Sequence, residues 1–220
     1  MHFSAMKTLP PQARVALGLA VLFAPMAGLA MESPHVDMSA RPAVQKLLDR
    51  IEADEPKPVR METVWKGADV DGDGAADFAN PTGAAPREHD DFGDGAFGAR
   101  RDGGSRRHEG VDYTAVAGQA AKAPISGYVT KIGYAYADST DLRFVEITNP
   151  ALGYVARAFY VDPSVEVGQT IHLGQTIGHV ASLQKHYPGI TNHVHLEVMK
   201  PGGRRINAAA LIQPKLVAAA

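Results

Sequence analysis

The chain has 220 residues, a formal net charge of −2, 45% hydrophobic and 21% charged residues, and no cysteine. Such a chain holds a domain of ordinary size and is not disordered throughout, and its charge balance supplies no global basic field to recommend nucleic acid as a partner. The absence of cysteine excludes disulfides and thiolate metal ligands, so any metal falls to His, Asp and Glu.

At the N-terminus, Lys7 and Arg14 precede the apolar run "VALGLAVLFAPMAGLA", which ends in small residues. That is the layout of a secretory signal over residues 1–30, with cleavage after Ala30. The run is too short, and too interrupted by Pro25, to make a comfortable membrane span. The alternative is an uncleaved anchor. Without cysteine no lipid is attached near the cleavage point, so the expectation is an exported protein, periplasmic or extracellular, with no stable span once the signal is removed. Removal takes two basic and no acidic residues, leaving 20 basic against 24 acidic.

Residues 31–66 form an appendage or tether. Within it Ser39 is placed to cap a short helix carrying Val44, Leu47, Leu48 and Ile51 on one side, which Pro56 and Pro58 end. Residues 67–96 are Gly- and Asp-rich, and the irregular composition continues to residue 106, where Arg100, Arg101, Arg106 and Arg107 cluster around Gly103 and Gly104. Long irregular regions in compact domains are usually functional or mobile. Here "DVDGDGAADFAN" sets Asp69, Asp71, Asp73, Gly74 and Asp77 at the spacing of a calcium-binding loop, with hard oxygen donors at alternating positions and glycine at the sharp turn. Against calcium stand Asn80 in place of the bidentate Glu and the lack of flanking helices; the alternative is a solvated Asp-rich turn.

From residue 111 onward β-branched and aromatic runs alternate with turn residues. "GVDYTA", "GYVTKIGYAYA", "LRFVEIT", "YVARAFYV", "TIGHVA" and "HVHLEVM" predict strands, and the 22 Gly and 15 Pro favour short ones. The Gly-Gln-Thr-Ile step repeated in "VEVGQTIHLGQTIG" suits a tight turn between neighbouring strands. The expected fold is all-β: an antiparallel sandwich or open barrel over residues 97–213, with long loops, a short N-terminal helical appendage and a tail at 214–220.

Two stretches carry chemistry. In "TNHVHLEV", residues i and i+2 of a strand share a face, so His193 and His195 project together while Val194 and Leu196 point the other way. In "RRHEGVDY", Gly110 and Val111 argue against a helix, so His108 and Asp112 belong to a loop running into a strand. His and Asp from one segment and a His from another make three protein ligands, the count of a catalytic zinc site.

"HEGVDY" with "HVHLEV", and "VEVGQTIHLGQTIG" between them, resembles the lysostaphin and LytM-type zinc endopeptidases, which cleave peptide bonds in peptidoglycan. The resemblance runs in order from about Phe97 to Asn207. It implies that His108, Asp112 and His195 ligate zinc, that His193 is catalytic beside the metal, and that the substrate is a peptidoglycan peptide. In the family a further histidine stands in a Tyr-x-His-Leu stretch before the Val-x-Val-Gly-Gln turn, a position that falls on Phe159 or Tyr160 here. "RAFYVDP" and "SLQKHYPGITNHVHLE" are locally similar to leukocyte cell-derived chemotaxin, a relative known for binding and signalling. Tyr160 therefore has two readings: a hydroxyl donor to an oxyanion in place of the imidazole, or a core aromatic. His172 and His186 are candidates to reach the site from loops or, alternatively, surface histidines. On an extended segment Glu109 points away from His108, which makes it a structural or surface residue. The implied function is an exported zinc endopeptidase remodelling the cell wall. Its alternatives are a zinc-binding recognition module of the same fold and, from the Asp-rich loop alone, a calcium-dependent adhesin.

Overall fold

A computed structural model describes residues 41–54 and 59–219. The expected signal over 1–30, the Ser39 cap and the prolines at 56 and 58 lie outside the described residues. The chain divides into two units, residues 1–57 and 58–220. In the first, helix α1 spans Arg41–Asp54. Pro42 sits in its first turn, where a missing N–H breaks no intrahelical bond, and Gln45 Nε2 donates to Asp49 Oδ1 at 2.9 Å one turn on. Val44 and Leu47, expected on its apolar side, are exposed.

The second unit is a curled antiparallel β structure with long loops. In chain order its strands are β1 Met61–Gly67, β2 Arg100–Arg101, β3 Arg106–Arg107, β4 Val111–Thr114, β5 Ala120–Lys122, β6 Gly127–Tyr136 and β7 Ser139–Asn149. They continue with β8 Tyr154–Phe159, β9 Val161–Pro163, β10 Thr170–Ile171, β11 Thr176–Val180, β12 His193–Met199, β13 Arg205–Ile206 and β14 Ile212–Ala218. The main sheet runs β10-β6-β7-β8-β12-β13, with β4 also on β12. A smaller sheet, β5-β11-β9, and two ribbons, β1-β14 and β2-β3, complete the unit.

Strand β12 organises the site. Val194, Leu196 and Val198 are fully buried in the core with Val111, Val145, Ile147, Ala156 and Ala158. Burial of each such aliphatic side chain contributes roughly 1.5–3 kcal/mol. A slip of one residue would exchange the core face for the histidine face, so this packing fixes the register. In that register Asp112 of β4 and Phe159 of β8 both lie directly opposite His195, and Phe144 of β7 lies opposite Phe159. One row across the sheet therefore reads Asp112, His195, Phe159, Phe144. Two residues along, Glu197, Arg157 and Glu146 form the next row.

Two features differ from the sequence expectation. Residues 61–66 and 214–218, assigned to an appendage and a tail, pair as β1 and β14. The ribbon joins distant parts of the chain, and β1 is exposed along most of its length, so no local alternation announces it. The repeated Gly-Gln-Thr-Ile step does not join paired neighbours: β10 pairs with β6, whereas β11 pairs with β5 and β9. The repeat encodes a turn instead. Gln169 and Gln175 each accept, through Oε1, the N–H three residues earlier, at 3.1 Å and 3.0 Å. The irregular region to residue 106 is tied to the core at Phe78, bridged to Ile125, and at Pro86, bridged to Tyr113.

Candidate metal centre

His108 arrives from the loop before β4, Asp112 from β4, and His193 and His195 from β12. Gly110 lets that loop pass over β12: a Cβ there would meet the Leu196 carbonyl oxygen at 2.5 Å and the His195 ring at 2.7 Å. Three donor atoms converge. His108 Nε2 lies 2.9 Å from His195 Nδ1 and 3.1 Å from Asp112 Oδ1, and His195 Nδ1 is 2.9 Å from the same oxygen. Tetrahedral ligands about 2.0–2.1 Å from a zinc ion stand about 3.3 Å apart, so the three are nearly at the spacing that zinc requires.

The surroundings of each donor fit a metal. His108 Nδ1 bonds the Ala96 carbonyl at 2.8 Å, which fixes the proton there and leaves Nε2 as a lone pair facing the cluster. Asp112 Oδ2 receives Arg87 Nη2 at 2.9 Å, leaving Oδ1 for the cluster. Behind His195, Glu197 Oε1 stands 3.7 Å from Nε2, beyond a hydrogen bond but placed to favour positive charge on that side of the imidazole. Three acceptor-bearing groups so close, two of them buried, repel one another unless protons or a cation lie between them. The residues present fit zinc.

Charge follows the same logic. Burial opposes ionisation of Asp112, but bonds from His108 and His195 and the nearby His193 outweigh it and hold the carboxyl far below the ordinary carboxylate range. Burial alone would depress His195; Asp112 and Glu197 reverse the sign and raise it. His193 is lowered, chiefly by burial, against the pull of Asp112 and its bond to Thr191. Its Nδ1 lies 2.7 Å from the Thr191 carbonyl, which leaves Nε2 free 3.6 Å from Asp112 Oδ1, at the edge of the cluster.

A cleft of about 350 Å³ opens over these groups. Phe159 sets its ring edge against His195, at 5.3 Å between centroids. Tyr160 does the same against His193 at 5.3 Å, and its hydroxyl is 3.0 Å from that of Tyr136. Burial pushes the Tyr160 phenol up to about 12, so it stays protonated. Of the remaining histidine candidates, His172 is exposed and His186 pairs with Asp141 at 3.2 Å; neither lines the cleft. Glu109 is exposed, 3.3 Å from Arg205.

Sequence reasoning missed Arg87. This guanidinium is 4% exposed and holds Asp112, Asp90 at 2.6 Å and the Gly93 carbonyl at 2.8 Å. It lies in an aperiodic loop, where no pattern distinguishes a buried arginine from a solvated one.

The expected calcium site lacks support. Asp69, Asp71 and Asp77 can each bring one oxygen within 4.8 Å of the others, but Asp73 does not join them. Asp69 accepts the N–H groups of Gly72 and Gly74, Asp71 that of Asp73, Asp73 that of Ala75, and Asp77 that of Val70. Asx turns at Asp71 and Asp73, with Asp69 and Asp77 clamping backbone N–H groups across the loop, give the acidic residues a structural role.

Residues 106–208 match peptidase family M23. Leukocyte cell-derived chemotaxin-2 of Mus musculus is 32% identical over 111 residues, which cover 50% of this chain and 71% of the chemotaxin. Among solved structures, lysostaphin from Staphylococcus simulans aligns with a TM-score of 0.41 and 22% identity, over 48% of this chain and 42% of lysostaphin. A zinc containing peptidase from Vibrio cholerae aligns with a TM-score of 0.44 and 22% identity, over 59% and 38%. The chain thus spans less than half the length of either peptidase. Its matched region contains all three converging donors, and its identity to chemotaxin extends over more than two thirds of that protein: the chain belongs to peptidase family M23.

Proposed function

We propose that the chain is an exported, zinc-dependent endopeptidase that hydrolyses peptide bonds in peptidoglycan. The observation that carries this reading is the convergence of His108 Nε2, Asp112 Oδ1 and His195 Nδ1 within 2.9–3.1 Å, with His193 Nε2 beside them. These three atoms would hold the ion. Bound zinc supplies a Lewis acid that polarises the scissile carbonyl and lowers the pKa of water. Asp112 gives the site one negative charge, so the ligated ion keeps a net positive charge. His193, with its Nδ1 proton committed to Thr191, presents a lone pair that takes a proton from the attacking water and returns it to the leaving amine. Tyr160, protonated in the cleft wall, donates its hydroxyl to the oxygen on which negative charge develops. Export rests on the pattern of residues 1–30.

A second reading has its own observation. Phe159, not an imidazole, lies beside His195, a change that suits a zinc-binding recognition module with turnover lost. Incubating the zinc-loaded chain with purified peptidoglycan and labelling new amino termini separates the two. Release that stops when zinc is chelated supports the peptidase. Tight retention on peptidoglycan without new termini supports the module. Replacement of Tyr160 by Phe is expected to lower the cleavage rate on the order of a hundredfold to a thousandfold at unchanged zinc content. Hydrolysis at the wild-type rate in that variant would remove the hydroxyl from the mechanism.

A further inference from the structure

One wall of the cleft is built from phenols. Tyr136 ends β6, Tyr160 joins β8 to β9, and Tyr187 lies on the loop between β11 and β12. The Tyr187 hydroxyl donates to Tyr136 Oη at 2.8 Å, and the Tyr136 and Tyr160 oxygens are 3.0 Å apart. Each phenol has one proton to give. With Tyr187 donating to Tyr136, the proton of Tyr136 serves the Tyr160 oxygen. The Tyr160 proton then remains for the cleft, which all three residues line.

The backbone holds Tyr160 in an unusual posture. Its φ is +66°, a left-handed conformation that a bulky residue adopts only under strain. Two bonds pin it there: its N–H donates to the Arg143 carbonyl at 2.7 Å, and its carbonyl accepts from Ala181 N–H at 2.8 Å. That conformation sets the ring edge against His193. At the other end of the chain of hydroxyls, Phe92 packs edge-on against Tyr187 at 5.8 Å. A core aromatic needs neither the directed hydroxyls nor the strained backbone.

We propose that Tyr136 and Tyr187 are positioning residues for the Tyr160 hydroxyl, turning its proton into the cleft and strengthening it as a donor to a tetrahedral anionic centre. This rests on the peptidase site proposed above. In a chain of hydrogen bonds each link polarises the next, so the terminal donor gains from both partners.

The test uses the zinc-loaded chain with Tyr136→Phe, Tyr187→Phe, Tyr160→Phe and the Tyr136→Phe/Tyr160→Phe double variant. Zinc content is checked in each. Two readouts are taken: kcat and KM on a peptidoglycan stem peptide, and Kd for a phosphinate dipeptide, a stable tetrahedral anion that needs no turnover. Tyr136→Phe is expected to lower kcat about tenfold at unchanged KM, and Tyr187→Phe about threefold, the range of one or part of one hydrogen bond. Phosphinate affinity falls in step. In the Tyr160→Phe background, Tyr136→Phe has no further effect. An equal loss in both backgrounds overturns the proposal. So does wild-type phosphinate affinity in Tyr136→Phe, or no phosphinate binding by the unaltered chain. Phosphinate binding that weakens in Tyr136→Phe, in a chain that cleaves no peptide, supports the hydroxyl relay and discards the peptidase reading.

Discussion

Among the described residues, two places gather acidic or imidazole groups closely enough to tempt a metal: His108, Asp112 and His195 at the sheet, and Asp69, Asp71 and Asp77 in the loop. Their difference lies in what the donor atoms do without an ion. In the loop every aspartate accepts backbone N–H groups and folds the turn by itself. In the sheet the donors face one another, and groups behind them hold them there: the Ala96 carbonyl behind His108, Arg87 behind Asp112 and Glu197 behind His195. Proximity alone does not make a metal site. Donors backed into mutual opposition fit one.

The largest expected effect tests that opposition directly. His195→Ala should abolish zinc binding, leaving two protein ligands, whereas His193→Ala should retain about one zinc per chain, because His193 stands at the edge of the cluster. Metal analysis after dialysis decides it. Full zinc in both variants would show that the wrong imidazole has been placed on the metal.

Arg87 comes next. Its partner Asp112 is buried, and removing one member of a buried ion pair costs about 3–5 kcal/mol because the other charge is stranded. Urea denaturation of zinc-free Arg87→Met should show a loss of about that size, most of it recovered on adding Asp112→Asn. A loss below about 1 kcal/mol would mean that the histidines alone satisfy the carboxylate. For Glu197→Gln the smaller change falls on affinity. If the carboxylate behind His195 closes on its Nε2–H when zinc binds, the zinc Kd should rise by roughly ten- to a hundredfold with the fold intact. Competition with a chromogenic chelator measures it, and an unchanged Kd would reduce Glu197 to a partner of Arg205, which lies 3.1 Å away.

What was legible in the sequence follows from range and periodicity. His193 and His195 share a face because strand geometry has a period of two, and the apolar residues between them identify the buried side. His108 and Asp112 are placed on a loop running into a strand because Gly110 and Val111 argue against a helix. The supporting groups obey no such period. Arg87 reaches Asp112 from a loop, and Tyr136 and Tyr187 meet Tyr160 from segments that only the folded chain brings together. The β1–β14 ribbon was hidden for the same reason. Local rules exposed the candidate donors, while tertiary pairing supplied the groups around them.

The smallest expected effect belongs to the acidic loop. If its aspartates serve the backbone, calcium has less to gain there, since oxygens already accepting N–H bonds are weaker and less adjustable donors to an ion. Asp69 is the most committed, accepting from Gly72 at 2.6 Å and Gly74 at 2.9 Å with its two oxygens. Millimolar calcium should therefore leave both the thermal midpoint and the rate of limited proteolysis between residues 69 and 80 unchanged. Asp69→Ala should speed cleavage in that segment with or without calcium and leave zinc content untouched, because the loop's order comes from the side chain. Protection by calcium in the wild-type chain that disappears in Asp69→Ala would give the opposite answer. The exposed cluster would then be a second metal site despite its backbone bonds, and the contrast between opposed and committed donors would fail as a rule for this fold.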